Sequence, residues 1–249
     1  MTTDTPTPRR NWHFTRWLIV LIVATLGWSG WRAYTYRAAF RSALSEAKAL
    51  GWTVAYTDPV ATIRRDWRAA YKKETWTDGA THVYIPSDKG FEQHIAVFQR
   101  LNPKQMQIGD ARRLRDLSFL PPRSRLKSIW LNGCFELTNV DALANFTSLE
   151  TLVLAGCEEL RNVDGLKNLT ALQRVVLTIG KRLTNVDALR NLPALRELDL
   201  SACTGLTNVD ALTNLPSLRE VSLNGCKGLT KESVEALKAA LPNARISGP

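Results

Sequence analysis

The chain has 249 residues, 45% of them apolar and 22% charged, enough for one sizeable core with accessory segments. Its net charge of +10 would suit a nucleic-acid partner if the charge lay on a folded surface, but it is segregated. Residues 1–50 hold 7 basic against 2 acidic residues and 103–127 hold the same counts, while the chain beyond 127 comes to −1. That distribution suits a membrane surface and argues against a nucleic-acid face.

Residues 1–16 form a short basic tail. The following stretch WLIVLIVATLGWSGW (17–31) carries no charge, with Arg9, Arg10 and Arg16 before it and Arg32, Arg37 and Arg41 after it. Its fifteen residues would rise only about 22 Å as a helix, short of a hydrocarbon core of about 30 Å. Snorkelling by Arg16 and Arg32, with Trp12, Trp17, Trp28 and Trp31 at the interfaces, lengthens the span. We therefore expect a single-pass transmembrane anchor over 17–36. A cleaved signal peptide has the same layout, but bulky Trp28 makes Gly27-Trp28-Ser29 a poor cleavage site. A buried core helix is the other alternative, but an apolar stretch this near the terminus with arginines at both ends is rarely one. Basic residues are nearly balanced across the span, so orientation rests on the short tail, which favours repeats outside the cytoplasm.

Residues 37–103 read as a juxtamembrane stem and an N-terminal cap. Helical spacing runs through Tyr36, Phe40, Leu44, Ala47 and Leu50 until Gly51. A second amphipathic helix is expected over 58–73, capped by Asp58 with Pro59 in its first turn. THVYIP (81–86) reads as a strand. Residues 89–103 read as a helix with Phe91, Ile95, Phe98 and Leu101 inward. A repeat array needs such a cap because its first unit otherwise exposes its core.

From 104 to 229 the sequence repeats. LTNVDAL stands at 137–143, 183–189 and 206–212, with LRNVDGL at 160–166, so Val140, Val163, Val186 and Val209 fall 23 residues apart. The frame Leu149-x-x-Leu152-x-Leu154-x-x-Cys157 returns at Leu172, Val175 and Leu177, at Leu195, Leu198, Leu200 and Cys203, and at Leu218, Val221, Leu223 and Cys226. Upstream it gives Leu126, Ile129, Leu131 and Cys134, then a degenerate copy at Met106, Ile108, Ala111, Leu114, Leu117 and Leu120. The Leu-x-Leu alternation predicts one-sided strands, and apolar residues every third position afterwards predict 3₁₀-like turns. One unit cannot bury its leucines alone, so the heptad recurs because each turn must meet the same neighbours.

The motif resembles the leucine-rich repeat family, with 23-residue repeats of bacterial type. The resemblance implies an α/β solenoid with parallel strands on a concave face, turns or 3₁₀ segments on the convex side, and helical caps. The final stretch, 230–249, fits a C-terminal capping helix and tail: Thr230 can cap a helix over 230–246 with Val234, Leu237 and Leu241 inward. With no further domain after it, the array reads as complete.

No cofactor or metal is expected. The four cysteines never form C-x-x-C, and they sit in the column that in this family bonds to backbone. Buried, unreactive thiols follow; disulfides between Cys134 and Cys157 or Cys203 and Cys226 would need sulfurs that face one another. The columns Asn139/162/185/208 and Asp141/164/187/210 could suggest calcium, but an Asp at the start of each convex turn reads as its cap. His13, His82 and His94 lie outside the regular repeats, and no catalytic motif is present, so no enzymatic activity is expected.

The strand positions that point away from the core remain. The central column reads Gln107, Trp130, Val153, Val176, Asp199, Ser222, and one flank contributes Arg174, Glu197 and Glu220. Trp130, Val153 and Val176 would form a contiguous exposed apolar strip beside Arg174 and an acidic group of Glu197, Asp199 and Glu220. Exposed aromatics ringed by polar groups concentrate binding energy. The sequence thus predicts a membrane-anchored repeat protein that takes a protein or peptide ligand on its concave face. A scaffold in which the repeats act as a spacer is the alternative.

Overall fold

Each x-L-x-L-x stretch of the repeats becomes a strand. The structure, a computed structural model, describes residues 35, 38–56, 80–88, 91–122 and 124–248. It falls into two compact units, Met1–Ser42 and Ala43–Pro249. In the first, residues 38–42 are helical. The anchor expected over 17–36 lies outside the described residues except for Thr35, and so does the helix expected over 58–73. Among the described residues no helix is long and apolar enough to cross a membrane.

The second unit is built on one sheet whose strands follow chain order: β1 (Thr53–Tyr56), β2 (Ala80–Ile85), β3 (Gln105–Ile108), β4 (Ser128–Asn132), β5 (Thr151–Ala155), β6 (Arg174–Thr178), β7 (Glu197–Asp199), β8 (Glu220–Ser222) and β9 (Arg245–Ser247). All neighbours are parallel except β1 and β2. Partners such as Gln105↔Ser128, Thr151↔Arg174 and Glu197↔Glu220 show that one 23-residue period is one step across the sheet. The chain returns through 3₁₀ segments at Asp141–Asn145, Asp164–Leu166, Asp187–Asn191 and Asp210–Leu212.

Between sheet and 3₁₀ turns, the leucine columns close into one core. Ile129, Leu131, Leu152, Leu154, Val175 and Leu177 from the strands are fully buried, as are Leu143, Leu166 and Leu189 from the turns. Each such side chain contributes roughly 1.5–3 kcal/mol on burial. The degenerate upstream copy belongs to the same core, since Met106, Ile108, Ala111 and Leu117 are also fully buried.

The cap of each convex turn is the asparagine, not the aspartate. Asn139, Asn162, Asn185 and Asn208 accept through Oδ1 from the backbone N–H of Asp141, Asp164, Asp187 and Asp210 at 3.1, 3.2, 3.2 and 2.7 Å. The aspartates are themselves the first 3₁₀ residues and stand exposed, so their carboxylates lie one position too late to cap. An Asn two residues before the N–H it accepts from has the geometry of an Asx-turn.

The ends differ from the expected helical caps. Residues 43–49 are helical with Ala43 and Ala47 buried and Leu44 half-buried; Gly51 at φ +73° and the bond from Trp52 N–H to the Ala47 carbonyl (2.9 Å) end the segment. β1 and β2 then extend the sheet upstream, so the N-terminal cap contains strand as well as helix. The helix expected over 89–103 is a 3₁₀ turn, Phe91–His94, followed by α1 (Ile95–Leu101), which buries Val97, Phe98 and Leu101 and leaves Ile95 half-buried. At the other end α2 (Lys231–Ala240) has the expected cap, with Thr230 Oγ1 accepting from Ser233 N–H at 3.2 Å and Val234 and Leu237 buried. It stops well before 246 because Pro242 disfavours helical geometry at Leu241. The chain turns instead into β9, which pairs with β8 as one more parallel strand.

One buried carboxylate supports the N-terminal end. Asp88 is 5% exposed, and its Oδ2 accepts from the N–H groups of Arg113 (2.5 Å) and Leu114 (3.0 Å). It ties the segment after β2 to the first turn of the array.

Candidate functional site

On the open face of the sheet, register puts Trp130, Val153, Val176, Asp199 and Ser222 in one row across β4 to β8. Thr151, Arg174, Glu197 and Glu220 form the row beside it. All seven residues singled out in the sequence therefore share one face, and four strand steps of about 4.8 Å separate its ends.

The face is not the continuous exposed strip that the sequence predicts. Trp130 is 36% exposed, and its Nε1 donates to Ser128 Oγ at 2.7 Å. The Arg174 guanidinium lies 6.0 Å from the Trp130 ring centroid. Since Trp130 stands on β4 and Arg174 on β6, the two meet above β5, where Val153 is only 7% exposed. Val153 is thus a floor residue; Trp130 and half-buried Val176 are the accessible apolar groups. Arg174 also pairs with Glu197 at 3.3 Å, linking the aromatic to the acidic half.

The acidic group is partly engaged. Asp199 Oδ1 accepts from both the N–H (2.9 Å) and the hydroxyl of Ser201, which in turn lies 2.9 Å from Ser222 Oγ; Asn224 Nδ2 donates to Ser222 at 3.0 Å. Asp199 Oδ2 and the Glu220 carboxylate are not engaged by these bonds. The face therefore runs from an apolar, arginine-stacked half on β4–β6 to a hydroxyl-rich acidic half on β7–β8.

Two residues that sequence reasoning missed adjoin it. Phe135 (39% exposed) and Ile179 (38%) are, with Trp130, the exposed large hydrophobic residues of the described chain. Phe135 follows β4 and Ile179 follows β6, so both stand at the C-terminal edge of the same three strands. The Arg112 guanidinium lies 5.9 Å from the Phe135 ring. The signal for Ile179 was in the 23-residue column, where Gly133, Gly156 and Gly225 precede and follow it.

The cysteines offer no reactive group. All four are fully buried and free. Cys134 and Cys157 donate to the carbonyls of Leu131 (3.2 Å) and Leu154 (3.0 Å); Cys203 and Cys226 reach back to the preceding repeat, to Leu177 (3.1 Å) and Leu200 (3.0 Å). Cys203 fills the gap left by Gly180, where an added Cβ would lie 3.0 Å from Cys203 Sγ. Burial pushes the Cys203 thiol up to about 12 and raises Cys226 as well. Its sulfur contact with Cys134, together with burial, raises Cys157. Such groups are thiols that cap backbone, not nucleophiles. Among the described residues no three His, Cys, Asp or Glu side chains gather as a metal site. His82 instead shares a hydrogen bond with Gln105 across β2 and β3 at 3.3 Å.

A parallel strand every 23 residues, a 3₁₀ return on the opposite side and continuous leucine columns between them define a leucine-rich-repeat solenoid. No protein-family profile and no curated protein matches the chain. Among solved structures it is similar to internalin C2 of Listeria monocytogenes, at 22% identity and TM-score 0.44 over 67% of this chain and 80% of that one. It is similar also to the leucine-rich repeat domain of the type III effector XopL, at 18% identity and TM-score 0.44 over 99% and 98% of the two chains. A third likeness is to a structure of the yeast Rad7 and Elc1 complex, at 22% identity and TM-score 0.42, covering 61% of this chain and only 44% of that one.

Proposed function

We propose that the protein is a non-enzymatic binding module that holds a protein or peptide partner on the open face of β4–β8. The observation that carries this reading is Trp130, an indole 36% exposed on a sheet face and braced by Ser128 and Arg174. A tryptophan braced by neighbours loses little freedom on binding, and such anchors carry much of an interface's energy. The test is affinity capture by the full chain from its own cells, comparing wild type with Trp130→Ala/Val176→Ser. The double variant should lose a specific partner while its circular dichroism and thermal midpoint stay unchanged. Undiminished capture would remove the face from consideration.

We further propose that residues 17–36 tether this module to a membrane with the repeats outside the cytoplasm. The support is the uncharged stretch 17–31 between arginines, and the short tail before it. A reporter active only outside the cytoplasm, fused after Pro249, should give signal; signal from the mirror reporter alone would reverse the orientation. Deleting 104–249 separates the binding reading from a spacer role, since a scaffold would keep working without the repeats.

A further inference from the structure

The backbone at Ile179 is one that its own residue type serves badly. At the end of successive strands the chain turns through positive φ: Gly133 at +70°, Gly156 at +79°, Ile179 at +63°, Ala202 at +60° and Gly225 at +73°. The turn is imposed by the neighbouring repeat, through the bond from Ile179 N–H to the Ser201 carbonyl at 3.0 Å. A β-branched residue in this region is strained, and glycine is the residue that fits. Core packing does not account for the isoleucine, because 38% of it is exposed. An unfavourable backbone and an exposed apolar side chain coincide here, at the edge of the face that carries Trp130 and Val176.

The surroundings extend the patch. Phe135 lies against Gly156, where an added Cβ would fall 3.3 Å from Phe135 Cε1, and Gly156 holds the same column position as Ile179 one repeat earlier. Beyond β6 the character changes to Asp199, with one carboxylate oxygen not engaged by Ser201, and Glu220, which stands beside Arg245 in the register of β8 and β9 but forms no ion pair with it. We propose, resting on the binding reading above, that the partner is a basic-apolar polypeptide segment. Its apolar side chain seats among Trp130, Val176 and Ile179, and its lysine or arginine lies on Asp199 and Glu220. The apolar and acidic centres are about two strand steps apart, roughly 10 Å, which an extended segment covers in about three residues.

The test is selection of random displayed peptides against the immobilised full chain, followed by binding titrations of the enriched sequences. Enriched peptides should share a bulky apolar residue with Lys or Arg about three positions away, and should bind more weakly as salt is added. Ile179→Ala copies the residue already present at Ala202; it should keep or raise the wild-type thermal midpoint and weaken binding about tenfold or more, the loss of one apolar contact. Exposed Glu220→Lys should turn selection against basic peptides, and Asp199→Asn should weaken the original ones. Enrichment that depends on Trp130 but is indifferent to Glu220→Lys and Asp199→Asn would overturn the charge assignment and leave the binding face standing. Peptide binding unaffected by Trp130→Ala/Val176→Ser would overturn both, and so would the absence of any enrichment for a peptide ligand.

Discussion

Gly165 is the one departure from Ala at the sixth position of the repeated heptad; Ala142, Ala188 and Ala211 stand there in the other copies. Pattern logic would restore the repeat by Gly165→Ala and expect a gain of about 0.5–1 kcal/mol from reduced unfolded-state freedom. The structure reverses the sign. A Cβ at Gly165 would lie 2.1 Å from the Val140 carbonyl oxygen, 2.6 Å from its carbon and 2.8 Å from Asp141 Cα. These are backbone atoms of the preceding repeat, and no rotamer moves them aside. Making room means prying apart the 3₁₀ turns at Asp141–Asn145 and Asp164–Leu166, overpacking that costs about 1–3 kcal/mol. The net expectation is a loss of about 1–2 kcal/mol, or roughly 2–8 °C in thermal midpoint for a unit of this size. Thermal melts and urea titrations of the full chain measure it, with Ala188→Gly as the control whose loss should be no more than about 1 kcal/mol. A Gly165→Ala midpoint equal to or above wild type would refute the reasoning that backbone contact, not repeat consensus, governs this position.

Four further outcomes follow from the structure. Asp88→Ala strips the acceptor from two backbone N–H groups and should cost about 1–3 kcal/mol in urea unfolding; a neutral result would show that water replaces the carboxylate without penalty. Asn185→Ala should destabilise by about 0.5–1.5 kcal/mol and Asp187→Ala by clearly less, because the asparagine makes the turn's hydrogen bond; the reverse order would reinstate the aspartate as cap. The Cys203 thiol, raised from an ordinary value near 9 to about 12, favours the folded state fully below pH 9, and that contribution fades as pH rises toward 12 because the unfolded chain ionises first. Wild type should therefore lose stability more steeply than Cys203→Ser over that interval. Native protein at pH 8 should leave all four thiols unlabelled by a maleimide until denaturant is added, and rapid native labelling would contradict their burial.

Much of the fold is legible in the chain because a repeat is a local pattern read many times. The Leu-x-Leu spacing at 152–154 and its copies marks the strands, since side chains alternate faces along extended backbone. The third-residue spacing after Cys157 marks the 3₁₀ return. Thr230 is a cap by its chemistry and position, and it acts as one. The grouping of the outward residues was legible in the same way: once strands are placed, Trp130, Arg174, Glu197 and Glu220 must stand together on one side. Elements outside the repeat were harder to place. Nothing periodic distinguishes β1, and the C-terminal helix could be drawn past Pro242 because its apolar spacing continues.

What sequence alone determined, then, is the order of the repeat strands, their 23-residue register and the residues that share a face, because these depend on periodicity and backbone geometry. Tertiary structure decided everything that depends on what a side chain meets across a step of the sheet. Val153 occupies an outward position yet is covered where Trp130 and Arg174 meet over it. Asn, not Asp, reaches the open N–H of each turn. Ile179 stands in a glycine's backbone because the next repeat's carbonyl holds it there. Contacts between repeats are set by distances of a few tenths of an ångström, and no pattern of residue types carries that information.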